Sequence, residues 1–457
     1  MRVVRSSGEY YHVKIRGVEG WIKASDTQQE RLLEIVFVDI GQGDGALVIT
    51  PDDRKYIIDA GEGDNMYRFL RWRFGKFRQP VIFDAAIISH SDSDHYGGFE
   101  EIFKEPNVKF RAVYHNGLME RTSVRKAGIL GQPKKSGAHS YITDLVPTLE
   151  ALRTFLSKPS AWKDKRYPTM LNKALEAGRF EDFKMLSAGD RHFPGHGPGS
   201  TLEIQVLGPY PETVNDTLAL RWLGDVGKTK NGHSIVFRFL IGGVSIFMGG
   251  DLNLESCRLL LEKHTGLSPQ PKTSEDEAAL VAGGQRIFGC DIAKACHHGS
   301  ADLFIPFLKS IHPIATVVSS GDDEPHAHPR ADALGAMGRC GRGERPLIFS
   351  TELSRSAKES IKHPNVLREQ LAALLKRITD AKTDKQRALA QKKFDEATAN
   401  LDRSVAVFGA INLRTDGRKV VMAYKLEQST PSKGWDIYQM EPIGINGPLG
   451  YQSKYDK

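Results

Sequence analysis

The segment SHSDSDHYGG, residues 89–98, sets His90, Asp92, Asp94 and His95 within six positions, directly after the apolar run FDAAIIS. Alternate side chains of an extended stretch point to one side, which groups His90 with Asp92, while Asp94 and His95 project from the turn that follows. Carboxylates this close repel one another unless a cation lies between them. The set therefore reads as metal ligands, rather than as turn residues that satisfy loop backbone. One short peptide cannot surround two cations, so further ligands must come from distant loops. Asp251 in FMGGDLN and His297 with His298 in CHHGS follow later apolar runs and are the candidates.

A chain of 457 residues allows two or three domains, or one large domain with insertions. Apolar residues make up 40% and charged residues 26%, which excludes wholesale disorder. No apolar run approaches the ~18 residues that span a bilayer, and RVVRSSGEYY after Met1 is no leader core. A soluble protein with no membrane attachment is expected. Lys and Arg outnumber Asp and Glu by 63 to 56, a net +7 that permits an anionic partner without demanding one. Cys257, Cys290, Cys296 and Cys340 form no CxxC pair, which suits a reducing cytoplasm.

Residues 2–26 read as two short strands around a Gly-rich turn, and the segment 1–30 resembles part of a bacterial Src-homology-3-like barrel. Either the numbering begins inside a longer protein or this element leans on the next domain. From residue 32 onward, short apolar runs end in charged or histidine clusters and alternate with helical segments, the pattern of a layered α/β domain over 31–355. Gly242 and Gly243 mark a hairpin turn. Residues 65–77 are expected as an amphipathic helix capped by Asn65; its basic residues Arg68, Arg71, Arg73, Lys76 and Arg78 form either a solvated face or a nucleic-acid patch. Residues 106–230 are less regular and are expected as an insertion or lid. Residues 356–404 carry Leu367, Leu371, Leu374, Leu375 and Ile378, then Ala390, Phe394, Ala397 and Leu401, at helical spacing. One helix of that length would carry the chain far from the strand expected at 406–417, so an antiparallel helical hairpin is expected, with 405–457 forming the final sheet strands and tail.

The ordered series DIGQGD, IIDAG, SHSDSDHYGG, a strand ending GGD, CHHGS and HAHPR resembles the metallo-β-lactamase superfamily. Within it the chain is similar to the hydrolase domain of the ComEC-type DNA-uptake channel and its soluble relatives. The resemblance implies an αββα sandwich, here with a helical hairpin insertion and a small N-terminal β element. It implies that His90 and Asp92 bind one divalent metal and Asp94 and His95 the other, that Asp251 bridges them, and that His298, the histidine directly before a glycine, is the last ligand while His297 faces the substrate. Asp59 and Asp39 would support the ligand loops. Asp92, in place of the more widespread histidine, makes manganese a rival to zinc.

A hydroxide held between two cations would attack the substrate, and His297 and His328 are the candidates to protonate the leaving oxygen, with His326 as the near alternative. Asp94 counts as catalytic as well as a ligand, and Asn116 and His233 are the expected substrate contacts. The leading expectation is a phosphodiesterase or nuclease with nucleic acid as substrate. The alternatives are a hydrolase of small phosphodiesters or lactones, and an interaction scaffold in a multi-protein, defence-type system with a regulatory metal site. The 356–404 helices would serve a homo-oligomer or a protein partner, or pack as a self-contained hairpin.

Overall fold

A computed structural model describes residues 2–15, 18–27, 31–124, 126–321, 326–352, 364–404, 409–430, 433–444 and 447–453. The strand Leu33–Phe37, LEIVF, is buried at every position, which explains its unbroken apolar sequence. Its alternate side chains leave on opposite faces. Val36 enters a core roofed by Met66, Phe69, Leu70, Phe99 and Leu171 of overlying helices, whereas Ile35 and Phe37 enter a second core with Phe237, Phe239, Ile246 and Met248. Those four belong to another sheet, whose far face packs Val236 and Phe247 against Leu260, Leu261, Phe288 and Phe307 of further helices. The result is the expected αββα sandwich.

The first sheet has ten strands in the order Phe180–Met185, Val108–His115, Val81–Ile87, Lys55–Ala60, Gly45–Ile49, Leu33–Phe37, Ile411–Thr415, Val420–Thr430, Lys433–Pro442 and Leu449–Gly450. The second has six: Glu203–Gly208, Val236–Ile241, Val244–Met248, Ile292–Lys294, Ala315–Val318 and Leu347–Ser350. Lys55–Ala60, Val81–Ile87 and Val108–His115 run parallel, as do Val244–Met248, Ile292–Lys294 and Ala315–Val318. Parallel neighbours need crossovers, which helices such as Asn65–Arg73 and Leu254–Thr265 supply, and ligands bind beyond the carboxyl ends of such strands. At the other end of Val244–Met248, Gly242 and Gly243 form the expected turn. Gly243 N–H donates to the Gly417 carbonyl at 2.7 Å, and a Cβ on Gly242 would stand 2.4 Å from that oxygen. The two sheets meet there main chain to main chain.

Several expectations are corrected. The N-terminal element has three strands, not two: Arg2–Ser7, Tyr10–Ile15 and Val18–Lys23, because Gly8 at φ +56° closes a first turn and Trp21 of the third strand packs on His12. The region 106–230 is not simply a lid. Val108–His115 and Phe180–Met185 extend the first sheet and Glu203–Gly208 edges the second; strands near a sheet border alternate buried and exposed residues and so look less apolar. Its remainder includes a four-stranded sheet of Gln132–Ser136, His139–Thr143, Glu212–Val214 and Thr217–Arg221. The helix expected over 65–77 stops at Arg73, with Asp64 rather than Asn65 as its cap, because Gly75 (φ +62°) and Lys76 (φ +59°) turn left-handed.

The basic face of that helix is largely engaged within the chain. Arg68 pairs with Asp64 at 2.8 Å and Arg73 with Glu34 at 2.7 Å, Arg71 lies over Tyr67, and Lys76 donates to the Asp395 carbonyl at 3.4 Å. Asp395 belongs to the expected hairpin, whose helices Pro364–Thr379 and Asp384–Ser404 pack together, the second also resting on Asn65–Arg73. Thr383 caps the second helix by accepting from Gln386 N–H at 3.2 Å. The expected beginning of the hairpin region at 356–363 and residues 406–408 of the following strand lie outside the described residues. Among the described residues, no helix is long and apolar enough to cross a membrane.

Candidate metal centre

The strand Val81–Ile87 delivers Ser89, His90, Ser91 and Asp92, after which the short helix Ser93–Tyr96 carries Asp94 and His95. Close packing of this loop needs glycine: a Cβ on Gly98 would lie 2.1 Å from the Ala60 carbonyl oxygen. Asp251 follows Val244–Met248, and His298 lies in the turn Cys296–Gly299 after Ile292–Lys294, with both histidines of that turn at positive φ. Three loops from two sheets thus meet at one edge.

Nε2 of His95 and Nε2 of His298 each lie 3.2 Å from Oδ2 of Asp251 and 3.3 Å from one another, and Oδ2 of Asp94 is 3.5 Å from His298 Nε2. One donor atom from each of Asp94, His95, Asp251 and His298 falls within 4.8 Å of all the others. Behind them, Nδ1 of His95 lies 2.9 Å from Asp59 and Nδ1 of His298 lies 3.1 Å from Asp44. Asp59 at Nδ1 of His95 places the proton there and turns the Nε2 lone pair to the centre, and His298 Nδ1 is likewise engaged by the Ser319 carbonyl at 3.2 Å. Asp59 is fixed in turn by the Ser89 N–H at 2.7 Å and hydroxyl at 2.6 Å.

Burial opposes charge on all of these groups, but neighbouring opposite charges outweigh it. Asp94 and Asp251 are held below the usual carboxylate range by His95 and His298, and both imidazoles are raised well above theirs by Asp251 together with Asp59, Asp94 and Asp44. Oδ1 of Asp251 is buried with no hydrogen-bond partner. A buried acceptor left in that condition among convergent imidazole and carboxylate donors fits a divalent cation.

His90 and Asp92 sit to one side. Their Nε2 and Oδ2 atoms are 3.6 Å apart, the His90 ring lies 4.0 Å from that of His95, and His90 Nδ1 is 3.2 Å from the Ser234 hydroxyl. Asp92 is in contact with the ammonium of Lys230, which also pairs with Glu120 at 3.0 Å. His297 Nε2 is 3.9 Å from Asp251, and the His328 ring lies 5.6 Å from that of His297. An open cleft of about 750 Å³ begins here, lined by Asn231, His297, Ser300, His326, His328 and Arg330 among others.

Two expected residues do something else. Asn116 donates to the His233 carbonyl at 3.0 Å and accepts from Leu118 N–H at 3.1 Å, so backbone occupies its amide. The buried His233 ring bonds the Arg221 carbonyl at 2.6 Å. Asp39 accepts from Gly41 N–H at 3.3 Å in the loop whose Asp44 N–H donates to the Asp94 carbonyl at 3.2 Å. Sequence reasoning missed the contact of Asp44 with His298, the ion pair of Lys230 with Asp92, and Lys294. The last is a buried ammonium against Asp44 that donates to the Gly250 carbonyl at 3.2 Å. A lysine closing the buried strand Ile292–Lys294, four residues before His298, was the available signal.

A family model described as the metallo-beta-lactamase superfamily matches residues 45–288, ending ten positions before His298. ComE operon protein 3 of Bacillus subtilis (strain 168) is 24% identical over 327 residues, which are 67% of this chain and 30% of that protein. The chain thus spans about 30% of the length of this curated relative. A crystal structure from Parabacteroides distasonis ATCC 8503, of a protein described as a metal-dependent hydrolase, aligns over 71% of this chain and 98% of that one, at 10% identity and a TM-score of 0.30. The family match covers more than half of the chain and includes the whole His90–His95 loop and Asp251: the chain belongs to the metallo-beta-lactamase superfamily.

Proposed function

We propose that the protein is a phosphodiesterase that cleaves DNA or RNA. The observation that carries this reading is the meeting of Asp94, His95, Asp251 and His298 beside a cleft of about 750 Å³ whose lining includes His328 and Arg330. The likeness to ComE operon protein 3 and the net charge of +7 support it. In this reading Asp94, His95, Asp251 and His298 hold one divalent cation, and His90 and Asp92 belong to a second position. Carboxylate and imidazole donors together suit manganese as well as zinc.

Bound cations supply Lewis acidity, which acidifies water and offsets phosphate charge. The chain's own groups do the rest. Asp59 aims His95, and the Ser319 carbonyl with Asp44 beside it aims His298; Arg330 at the cleft offers a cation and a forked donor for a phosphate oxygen. His297, whose Nε2 is 3.9 Å from Asp251, and His328 beside it are the groups that would protonate a leaving oxygen in this reading. Four buried thiols without disulfides support a cytoplasmic site of action.

The test joins metal analysis of the purified protein to cleavage assays on single- and double-stranded DNA and RNA and on bis-p-nitrophenyl phosphate, with Asp251→Ala as control. Cleavage of a polynucleotide that Asp251→Ala abolishes is the expected result. Turnover of the small diester alone would replace the nuclease reading with that of a small-substrate enzyme.

A further inference from the structure

The charges around the centre are shared unevenly. Lys294 lies against Asp44 and reaches Oδ1 of Asp251 only at 3.8 Å, while Asp59 is occupied by Ser89 and His95. Asp94 faces His95 and His298 across the convergent donor atoms. Asp92 differs, because the Lys230 ammonium touches it directly. Lys230 is held in place by Glu120 at 3.0 Å and the Ser91 carbonyl at 3.4 Å, and its side chain is only 12% exposed. A cation arriving between His90 and Asp92 must meet this fixed positive charge, and repulsion at such range is strong where water is scarce.

Given the reading of the centre as one that binds divalent cations, the geometry points to an asymmetric site: Asp94, His95, Asp251 and His298 hold one ion tightly, and Lys230 neutralises Asp92 so that the position at His90 and Asp92 is weak and exchangeable. Glu120 is a second seat for the ammonium. Lys230 acts here as a positioning residue that governs how many ions the centre carries.

Calorimetric titration of the metal-stripped protein with Mn²⁺, with bound metal counted after gel filtration, tests this without any activity measurement. The wild type should take one ion tightly and a second about tenfold or more weaker. Lys230→Met should tighten the second ion by about the same factor, and Lys230→Arg should leave it weak. Two ions of equal affinity in the wild type, or an unchanged second ion in Lys230→Met, would overturn the inference while leaving the metal centre standing. Absence of any bound ion would overturn the metal centre itself and this inference with it. If Lys230→Met fails to fold because Glu120 loses its partner, the double variant Lys230→Met/Glu120→Gln removes both charges, and it should show the same tightening; the wild-type titration stands independently of either.

Discussion

Asp59 holds Nδ1 of His95 at 2.9 Å from a backbone φ of +55°, a left-handed conformation that non-glycine residues adopt sparingly. Such strain persists where surrounding bonds over-determine it, and here Ser89 contributes two hydrogen bonds to the same carboxylate. The contact aims the His95 imidazole. Asp59→Ala should therefore lower metal affinity by about 10–100-fold with the fold intact, measured by metal titration alongside circular dichroism. Unchanged affinity would remove Asp59 from the site.

Asp251 stands between His95 and His298, so its loss separates the two rings from their shared acceptor. Asp251→Ala should retain less metal than wild type, and its hydrolysis should fall roughly 100-fold or more, the scale of several kcal/mol of lost charge stabilisation. A chelator should produce the same deficit in the wild type, reversible by added Mn²⁺ or Zn²⁺. Full activity in the chelated protein would show that the centre has another purpose.

Two histidines away from the cluster give a pH signature. Burial pushes His115 and His233 down to about 4, and each keeps a single bond to a carbonyl, of Val146 and Arg221 respectively. Unfolded, both titrate near ~6.5. Below that pH the unfolded chain takes up protons that the folded chain refuses, so their stabilising contribution is complete above ~6.5, falls as pH drops towards about 4, and falls no further below it. The loss is at most about 3 kcal/mol for each ring. Urea midpoints between pH 7 and 4.5 should fall more steeply for the wild type than for His115→Gln; parallel curves would contradict the assignment.

Phe237 is fully buried between the sheets, packed edge-on to Phe193 and near Phe239. Phe237→Ala should cost about 3–5 kcal/mol in denaturant unfolding, through lost contact and the cavity left behind. A cost below about 1 kcal/mol would mean that the sheets close over the gap.

If polynucleotide is the substrate, its binding should weaken with salt, with a slope of about −0.9 per phosphate contacted in duplex DNA. Arg330→Ala should flatten that slope by about one contact. Titrations from low to physiological salt decide the matter, and a salt-independent affinity would exclude backbone recognition at this cleft.

Much of this architecture is legible in the chain because local rules and tertiary needs agree. HSDSDH, GGD and CHHG each follow a buried strand, where a polar cluster has no local explanation, and Gly242 with Gly243 announces its hairpin. Elsewhere those rules diverge. The apolar spacing of 65–77 continues past Arg73, yet Gly75 ends the helix there. Strands Val108–His115 and Phe180–Met185 look polar because each leaves residues exposed. Lys230 and Lys294 stay hidden for a deeper reason: a charged side chain becomes part of a site through its partner, and Asp92 and Glu120 lie more than a hundred positions from Lys230. Asn116 and His233 misled in the opposite sense, since their polar atoms are spent on nearby backbone.

The bare main-chain joint between Gly242 and Gly417 lies at the tail of the strand whose tip bears Asp251. With no room for even a methyl group, the spacing of the layers at that hinge is set by peptide units alone. Asp251, beyond the far end of that strand, is thereby held at a set height against the first sheet, the layer that carries His90 to His95.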